Sequence, residues 1–194
     1  AGTPTAGARI QRFAMSVPRA VILGAVEGIT EYLPVSSTGH LLATEKLLGL
    51  WKSAQEKTAA EAYAVVIQLG AILAVFVISF PRIRRMVLGI FGRDAAGLRI
   101  LGNIVLAFIP AALVGLFLEE RIKAYLFTMP AVAAAWTVGG LFILVFLRKP
   151  GSRGGKPLEE IGWDTALVIG LAQCFALWPG VSRSLCTMGA GILM

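Results

Sequence analysis

Charge is what this sequence has least of. Only 15% of its 194 residues are Asp, Glu, Lys or Arg, and 57% are hydrophobic, whereas soluble domains carry about 25% charged residues. That shortage argues against an ordinary water-soluble domain. Acids are scarcer than bases, 11 against 18, which leaves a net charge of +7. In a soluble protein such an excess would invite a nucleic-acid reading. Here the basic residues fall in short segments between apolar blocks, as the positive-inside rule places them in membrane proteins, so no nucleic-acid partner is expected. Cysteine is nearly absent. Cys174 and Cys186 lie in apolar surroundings with no CxxC motif and no nearby histidine, and they read as small buried side chains. Long polar linkers are missing too, so the chain reads as a single membrane-embedded domain over residues 17–194. Ala1–Ser16, polar and small with Arg9 and Arg12 and no acid, reads as a flexible or processed tail.

What the sequence does have is apolar blocks. Ala62–Phe80, Ile100–Leu118 and Ala131–Leu147 are each close to the roughly 20 apolar residues that a membrane-spanning helix needs. Between the first two, Pro81–Arg99 carries Arg82, Arg84, Arg85, Arg93 and Arg99. After the third, Arg148–Asp164 carries Arg148, Lys149, Arg153 and Lys156. The alternate connections are poorer, with Lys46, Lys52 and Lys57 in one and Arg121 and Lys123 in the other. The two Arg-rich loops are therefore expected on the cytoplasmic side.

Two further segments are broken. Val17–Leu50 is apolar at both ends but interrupted by Tyr32-Leu33-Pro34-Val35-Ser36-Ser37-Thr38-Gly39-His40, and the segment from Thr165 onward by Trp178-Pro179-Gly180-Val181-Ser182-Arg183-Ser184. Proline disfavours helix in the residue before it, and Ser or Thr after a break caps a new helix. Each segment reads as helix, break, helix, with halves too short to cross a bilayer. Irregular backbone at membrane depth survives only when buried in protein or lining a wet cavity. Shifted forward by 146 positions, Gly24 falls on Gly170, Glu27 on Gln173, Tyr32 on Trp178, Val35 on Val181, Ser36 on Ser182 and Thr38 on Ser184. Three spans separate the two segments. If both are re-entrant they enter from opposite faces, an inverted repeat with its site near the midplane. The expected fold is an all-α polytopic integral membrane protein with full spans plus two re-entrant helix pairs.

The breaks carry the chemistry. Glu27 and Glu31 are four residues apart, on one face of a helix, and carboxylates facing lipid are costly enough that this face should turn toward a cavity. The plain alternative is an interfacial helix with its acids in water. Ser36, Ser37 and Thr38 suit capping, and capping is compatible with function because a helix N-terminus binds anions. Ser182 and Ser184 repeat that arrangement around Arg183, whose planar fork suits phosphate, although an arginine there could also simply reach for the interface. His40 is the only histidine and suits proton transfer near neutral pH. Two carboxylates beside an anion site repel it unless a divalent cation bridges them or one carries a proton. A plain anion site needs neither the acids nor the histidine. Phosphoryl transfer can use all of them.

At this level of detail the chain resembles a known family. Gly24–His40, Gly-Ala-Val-Glu-Gly-Ile-Thr-Glu-Tyr-Leu-Pro-Val-Ser-Ser-Thr-Gly-His, and Trp178–Ser184, Trp-Pro-Gly-Val-Ser-Arg-Ser, are similar to the two signatures of the undecaprenyl-diphosphate phosphatases linked with bacitracin resistance, and Ala64–Val75 matches a further stretch. The resemblance implies a multi-pass enzyme of the inner (plasma) membrane. Such an enzyme hydrolyses the polyprenyl diphosphate left by cell-wall polymerisation to the monophosphate carrier and inorganic phosphate. It implies re-entrant pairs in an inverted repeat as well. Carried over, Glu27 and Glu31 match the acidic motif proposed to hold a divalent cation, Mg²⁺ or Ca²⁺, and to assist proton transfer. Ser37 matches the candidate nucleophile, with water as the alternative. His40 matches the motif histidine and Arg183 the diphosphate-binding arginine, while Ser36, Thr38, Ser182, Ser184 and Thr187 fall at further polar positions of the two motifs. A homodimer is among the assemblies open to it. The chain departs from the pattern at Leu185, where most members have glycine. It also ends at Met194 within an apolar stretch where members continue, so a C-terminal part is expected to be missing. The competing reading is a lipid or anion transporter on the same scaffold, which would not need Glu27, Glu31 and His40 together.

Overall fold

The computed structural model describes residues 15–147 and 157–194, and every regular element among them is helical. Eight α-helices follow in order: α1 Val17–Thr30, α2 Ser37–Leu47, α3 Ala54–Ile78, α4 Phe80–Ile90, α5 Ala95–Leu126, α6 Met129–Phe142, α7 Trp163–Gln173 and α8 Arg183–Leu193. A π-helical turn, Ile143–Leu147, extends α6, and a 3-10 turn, Cys174–Leu177, extends α7. Three of these stretches, Ala54–Ile78, Ala95–Ile122 and Met129–Phe146, are long and apolar enough to cross a membrane. They carry the three expected spans, each begun earlier than the hydropathy alone indicates because a polar cap sits upstream. Ser53 accepts the Glu56 N–H (3.1 Å) while the Glu56 carboxylate accepts the Lys52 N–H (3.1 Å), a reciprocal cap on α3. Asp94 caps α5 through the Gly97 N–H (2.8 Å), and Thr128 caps α6 through that of Ala131.

One expectation needs correction. Pro81–Arg99 is not an open loop, because Phe80–Ile90 is helix α4. Phe80, Ile83, Val87 and Ile90 recur at helical spacing between the arginines, and Pro81 lies in the first turn, where its missing N–H costs nothing. Arg85 then ties this segment down. It donates from Nε to Asp94 (2.9 Å) and from Nη1 to Glu159 (2.8 Å). Asn103 donates to the Ile161 carbonyl (2.7 Å) alongside. The two connections expected on one side of the membrane are thus joined to each other. The helices cross closely there: a Cβ on Gly97 would lie 2.0 Å from the Arg85 carbonyl oxygen. Arg9, Arg12, Arg148, Lys149, Arg153 and Lys156 lie outside the described residues.

The broken segments fold as helix, break, helix. α1 and α2 pack against each other and against α3 around Leu23, Leu41, Leu50 and Ala60, and Met15 joins that cluster. Glu45, buried at the end of α2, accepts the Trp51 indole N–H (3.2 Å) and closes the turn toward α3. α7 packs along α5 and α8 returns against α7. The breaks are shorter than the sequence indicates. α2 restarts at Ser37, so Thr38, Gly39 and His40 lie in its first turn. α8 restarts at Arg183. In both cases a serine hydroxyl supplies the cap that lets the helix begin: Ser36 accepts the Gly39 N–H (3.3 Å) and Ser182 that of Leu185 (3.2 Å). The 146-residue shift carries Ser36 onto Ser182, Gly39 onto Leu185 and the bounds of α2 onto those of α8.

Candidate active site

The two breaks meet. Ser184 Oγ donates to the Leu33 carbonyl across the junction (2.9 Å) and bonds Ser182 Oγ (2.8 Å). On one side α3 closes the junction, with the Tyr32 hydroxyl donating to the Ala71 carbonyl (2.8 Å). On the other side α6 closes it, with the Trp178 indole N–H donating to the Ala131 carbonyl (3.1 Å). Gly180, at φ +100°, sits so near α6 that a Cβ there would lie 2.8 Å from the Ala135 methyl and from the Val132 carbonyl oxygen. Only glycine combines that backbone with that approach.

A cavity of about 460 Å³ opens at the junction. From the first break it is lined by Glu31 and Ser36, from the start of α2 by Ser37 and Thr38, and from α8 by Arg183, Ser184 and Thr187. Both helix N-termini open on it. The first N–H groups of a helix have no intrahelical partner, and together with the helix dipole they favour an anion. The Ser37 hydroxyl donates to Glu31 Oε2, a hydroxyl already paired with a base. Glu27 lies one turn beneath Glu31 and is buried, with neither carboxylate oxygen hydrogen-bonded.

Ser36 is strained. Its φ of 67° and ψ of 100° make it the one non-glycine residue with positive φ among the described residues, and such backbone costs about 1–3 kcal/mol unless neighbours hold it. Three contacts hold it: the cap to Gly39, and on the Ser36 carbonyl the His40 backbone N–H (3.3 Å) and His40 Nδ1 (2.8 Å). The strained residue directly precedes Ser37 and sets where its hydroxyl points.

The sequence-derived residues thus divide. Glu31, Ser36, Ser37, Thr38, Arg183, Ser184 and Thr187 converge on one cavity, with Glu27 directly behind. His40 does not line it. Its ring lies against Trp136 of α6 (centroids 4.8 Å apart) in a separate space of about 220 Å³ that Ser182 and Leu185 also line. The Ser182 and Ser184 hydroxyls are engaged in holding the breaks together, and the Thr187 hydroxyl donates to the Arg183 carbonyl (2.9 Å). Leu185, the departure from the glycine pattern, is buried beside Gly139 of α6 and leaves the anion cavity clear.

The sequence reading gave three residues no role in the site. Gln68 and Tyr32 line the cavity, and Trp136 backs His40, lying where a Cβ on Gly39 would come within 2.7 Å of its indole nitrogen. Gln68 had a usable signal, because a polar side chain inside an apolar span faces protein or a cavity by default. Trp136 had none, being one more aromatic in an apolar helix.

Comparison with known proteins finds similar sequences. The family model described as bacitracin resistance protein BacA matches residues 20–194. The chain is 46% identical over 177 residues to an undecaprenyl-diphosphatase of Sorangium cellulosum, covering 90% of this chain and 56% of the relative. It is 44% identical over 174 residues to undecaprenyl-diphosphatase 2 of Rhodospirillum rubrum, and 45% over 174 residues to an undecaprenyl-diphosphatase of Nitrosospira multiformis. Each of these matches covers 90% of this chain and 62% of the relative. The chain therefore spans roughly three-fifths of the length of these curated relatives.

Proposed function

The chain belongs to the bacitracin resistance protein BacA family, and on that premise we propose that it hydrolyses a polyprenyl diphosphate, undecaprenyl diphosphate in the first place, to the lipid monophosphate and inorganic phosphate. The reaction would take place in the inner membrane and return the lipid carrier to cell-wall synthesis. The observation that carries this reading is the Ser37–Glu31 hydrogen bond in a cavity that also holds Arg183 and two helix N-termini.

The chemistry follows from those parts. Arg183 grips the diphosphate with its paired donors, and the free amides at the start of α2 and α8 share the remaining oxygens. Ser37 Oγ attacks the terminal phosphorus as its proton passes to Glu31. The bond to the bridging oxygen breaks and the lipid monophosphate leaves. Glu31 passes that proton on to the departing lipid monophosphate. Water then attacks the phosphoserine with Glu31 taking its proton, the Ser37–phosphorus ester bond breaks, and Glu31 returns the proton to Ser37 Oγ as inorganic phosphate leaves. His40, outside the cavity, acts through the Ser36 carbonyl as a positioning residue, not as the proton carrier.

Glu27 and Glu31 fit a hard divalent cation such as Mg²⁺ or Ca²⁺. Glu27 has two unpartnered buried oxygens, and Glu31 lies beside it. Among the described residues no group of three or more His, Cys, Asp and Glu side chains is placed to hold a metal, so the further ligands would be substrate oxygens and water, as is common for Mg²⁺. When bound, such an ion neutralises charge on the diphosphate. The inverted re-entrant repeat belongs to the same proposal. Its support is the registry of α2 with α8 and of cap with cap.

The competing reading, a transporter of the same lipid, separates cleanly. In proteoliposomes loaded with polyprenyl diphosphate, hydrolysis releases inorganic phosphate in proportion to lipid consumed. Lipid crossing the bilayer with its diphosphate intact, and no phosphate released, would replace this reading with transport.

A further inference from the structure

The span α3 has few polar groups of its own. From Ala62 to Ile78 only Tyr63 and Gln68 bear polar side chains. The Tyr63 hydroxyl is engaged, donating to the Ala20 carbonyl of α1 (3.1 Å). Gln68 makes no hydrogen bond among the described residues. An amide without a partner inside an apolar span is costly unless a cavity or a ligand meets it. Here a cavity does: Gln68, Ala71, Ile72 and Val75 recur at helical spacing, and all four line the anion cavity. Two hydrogen bonds fix the depth of Gln68. Tyr63 reaches Ala20 near the start of α1, and Tyr32, just past the end of α1, reaches the Ala71 carbonyl (2.8 Å). The two helices therefore run parallel, and Gln68, lying between Tyr63 and Ala71, falls near the level of Glu27 and Glu31. This is the end of the cavity where Ser37 donates to Glu31.

We propose that the Gln68 amide donates to the terminal phosphoryl group of the diphosphate, the one that Ser37 attacks, and so makes the site prefer a diphosphate over its monophosphate product. The inference rests on the proposed hydrolysis for the identity of the head group. It adds a substrate-binding residue from a third element, alongside the first break and α8. Chemistry favours an amide at this place. A lysine would also donate, but its charge would pair with Glu31 and weaken the base that Ser37 needs. A neutral donor holds a phosphoryl oxygen and leaves that base free. Both lipids are tethered by the same tail in the bilayer, so the monophosphate ends one anhydride link short of Gln68. Arg183 enters the cavity from α8 and can hold either lipid, whereas Gln68 distinguishes them.

The test is a binding measurement, which does not depend on turnover. Protein in lipid nanodiscs is titrated with a polyprenyl methylenediphosphonate, whose P–C–P bridge resists hydrolysis, and with the polyprenyl monophosphate. Wild type is compared with Gln68→Met and Gln68→Glu. Gln68→Met keeps the length of the side chain and removes its donors. It should bind the diphosphonate about tenfold more weakly, the worth of a hydrogen bond to a charged group, and bind the monophosphate as wild type does. Gln68→Glu, similar in shape but adding a carboxylate to the cavity, should lose more on the diphosphonate. Equal weakening on both ligands, or none on either, would overturn the proposal. Tighter diphosphonate binding by Gln68→Glu in the presence of Mg²⁺ would also overturn it, making Gln68 a cation ligand instead. If wild type binds the diphosphonate yet releases no phosphate from the diphosphate, the hydrolysis reading fails, and the ratio of the two affinities still decides the role of Gln68.

Discussion

At the scale of single residues, the site depends on three contacts that mutation can separate. Arg183 acts through a planar pair of donors, which Lys cannot imitate. Arg183→Lys should therefore weaken substrate binding by about ten- to hundredfold, the worth of a charge-assisted hydrogen bond, read as a rise in KM. His40 touches the Ser36 carbonyl and not the cavity. His40→Asn, whose amide can take the place of Nδ1, should keep most of kcat and the wild-type pH profile, whereas His40→Leu should lose kcat. A flattened pH profile in His40→Asn would restore the histidine to proton transfer. Ser36→Gly should relieve backbone strain and leave the melting temperature equal or higher, since glycine caps nearly as well as serine, yet kcat should fall because Ser37 is no longer aimed. These residues were largely legible in the sequence. Acids at a spacing of four, hydroxyls after a proline and an arginine between serines all have local physical meanings. What was not legible is direction. The side of α2 on which His40 falls depends on where that helix restarts, and Trp136 enters from a helix about a hundred positions away in the sequence.

At the scale of elements, the corner between α4 and α5 is held by charge. Hydrogen bonding to Arg85, and then the Gly97 N–H, keep the Asp94 carboxyl below the usual aspartate range. A depressed carboxylate contributes stability that is present above its unfolded pKa and lost as the pH falls through its folded one. Acidification below the ordinary aspartate range should therefore loosen this corner, measured as faster amide exchange in α4 and the first turn of α5. Asp94→Asn, which keeps the cap and removes the charge, should show faster exchange already at neutral pH and little further change on acidification. Hydropathy located the three spans, but it missed α4, because Arg82, Arg84 and Arg85 depress an apolar average while leaving a helical face intact.

At the scale of the molecule, Arg85 joins two basic connections through Asp94 and Glu159, which is the arrangement expected if both lie on one side of the membrane, and the positive-inside rule predicts that side to be the cytoplasm. In a background lacking Cys174 and Cys186, Arg93→Cys should resist an impermeant thiol reagent in intact cells, and Gln55→Cys, at the other end of α3, should react. The reverse pattern would invert the topology. The meeting of two distant breaks was only partly readable. The 146-residue shift indicated matching halves, yet the Ser184–Leu33 contact between them belongs to tertiary packing that no local pattern encodes. The central claim, that those breaks together form a hydrolytic site with Ser37 and Glu31 at its reacting end, is tested most directly by phosphate release from a polyprenyl diphosphate by wild type, Ser37→Ala and Glu31→Gln side by side. Wild type should turn over, and each variant should lose about a hundredfold to ten-thousandfold in kcat with its fold unchanged by melting temperature. Turnover within a few-fold of wild type in either variant would contradict the account.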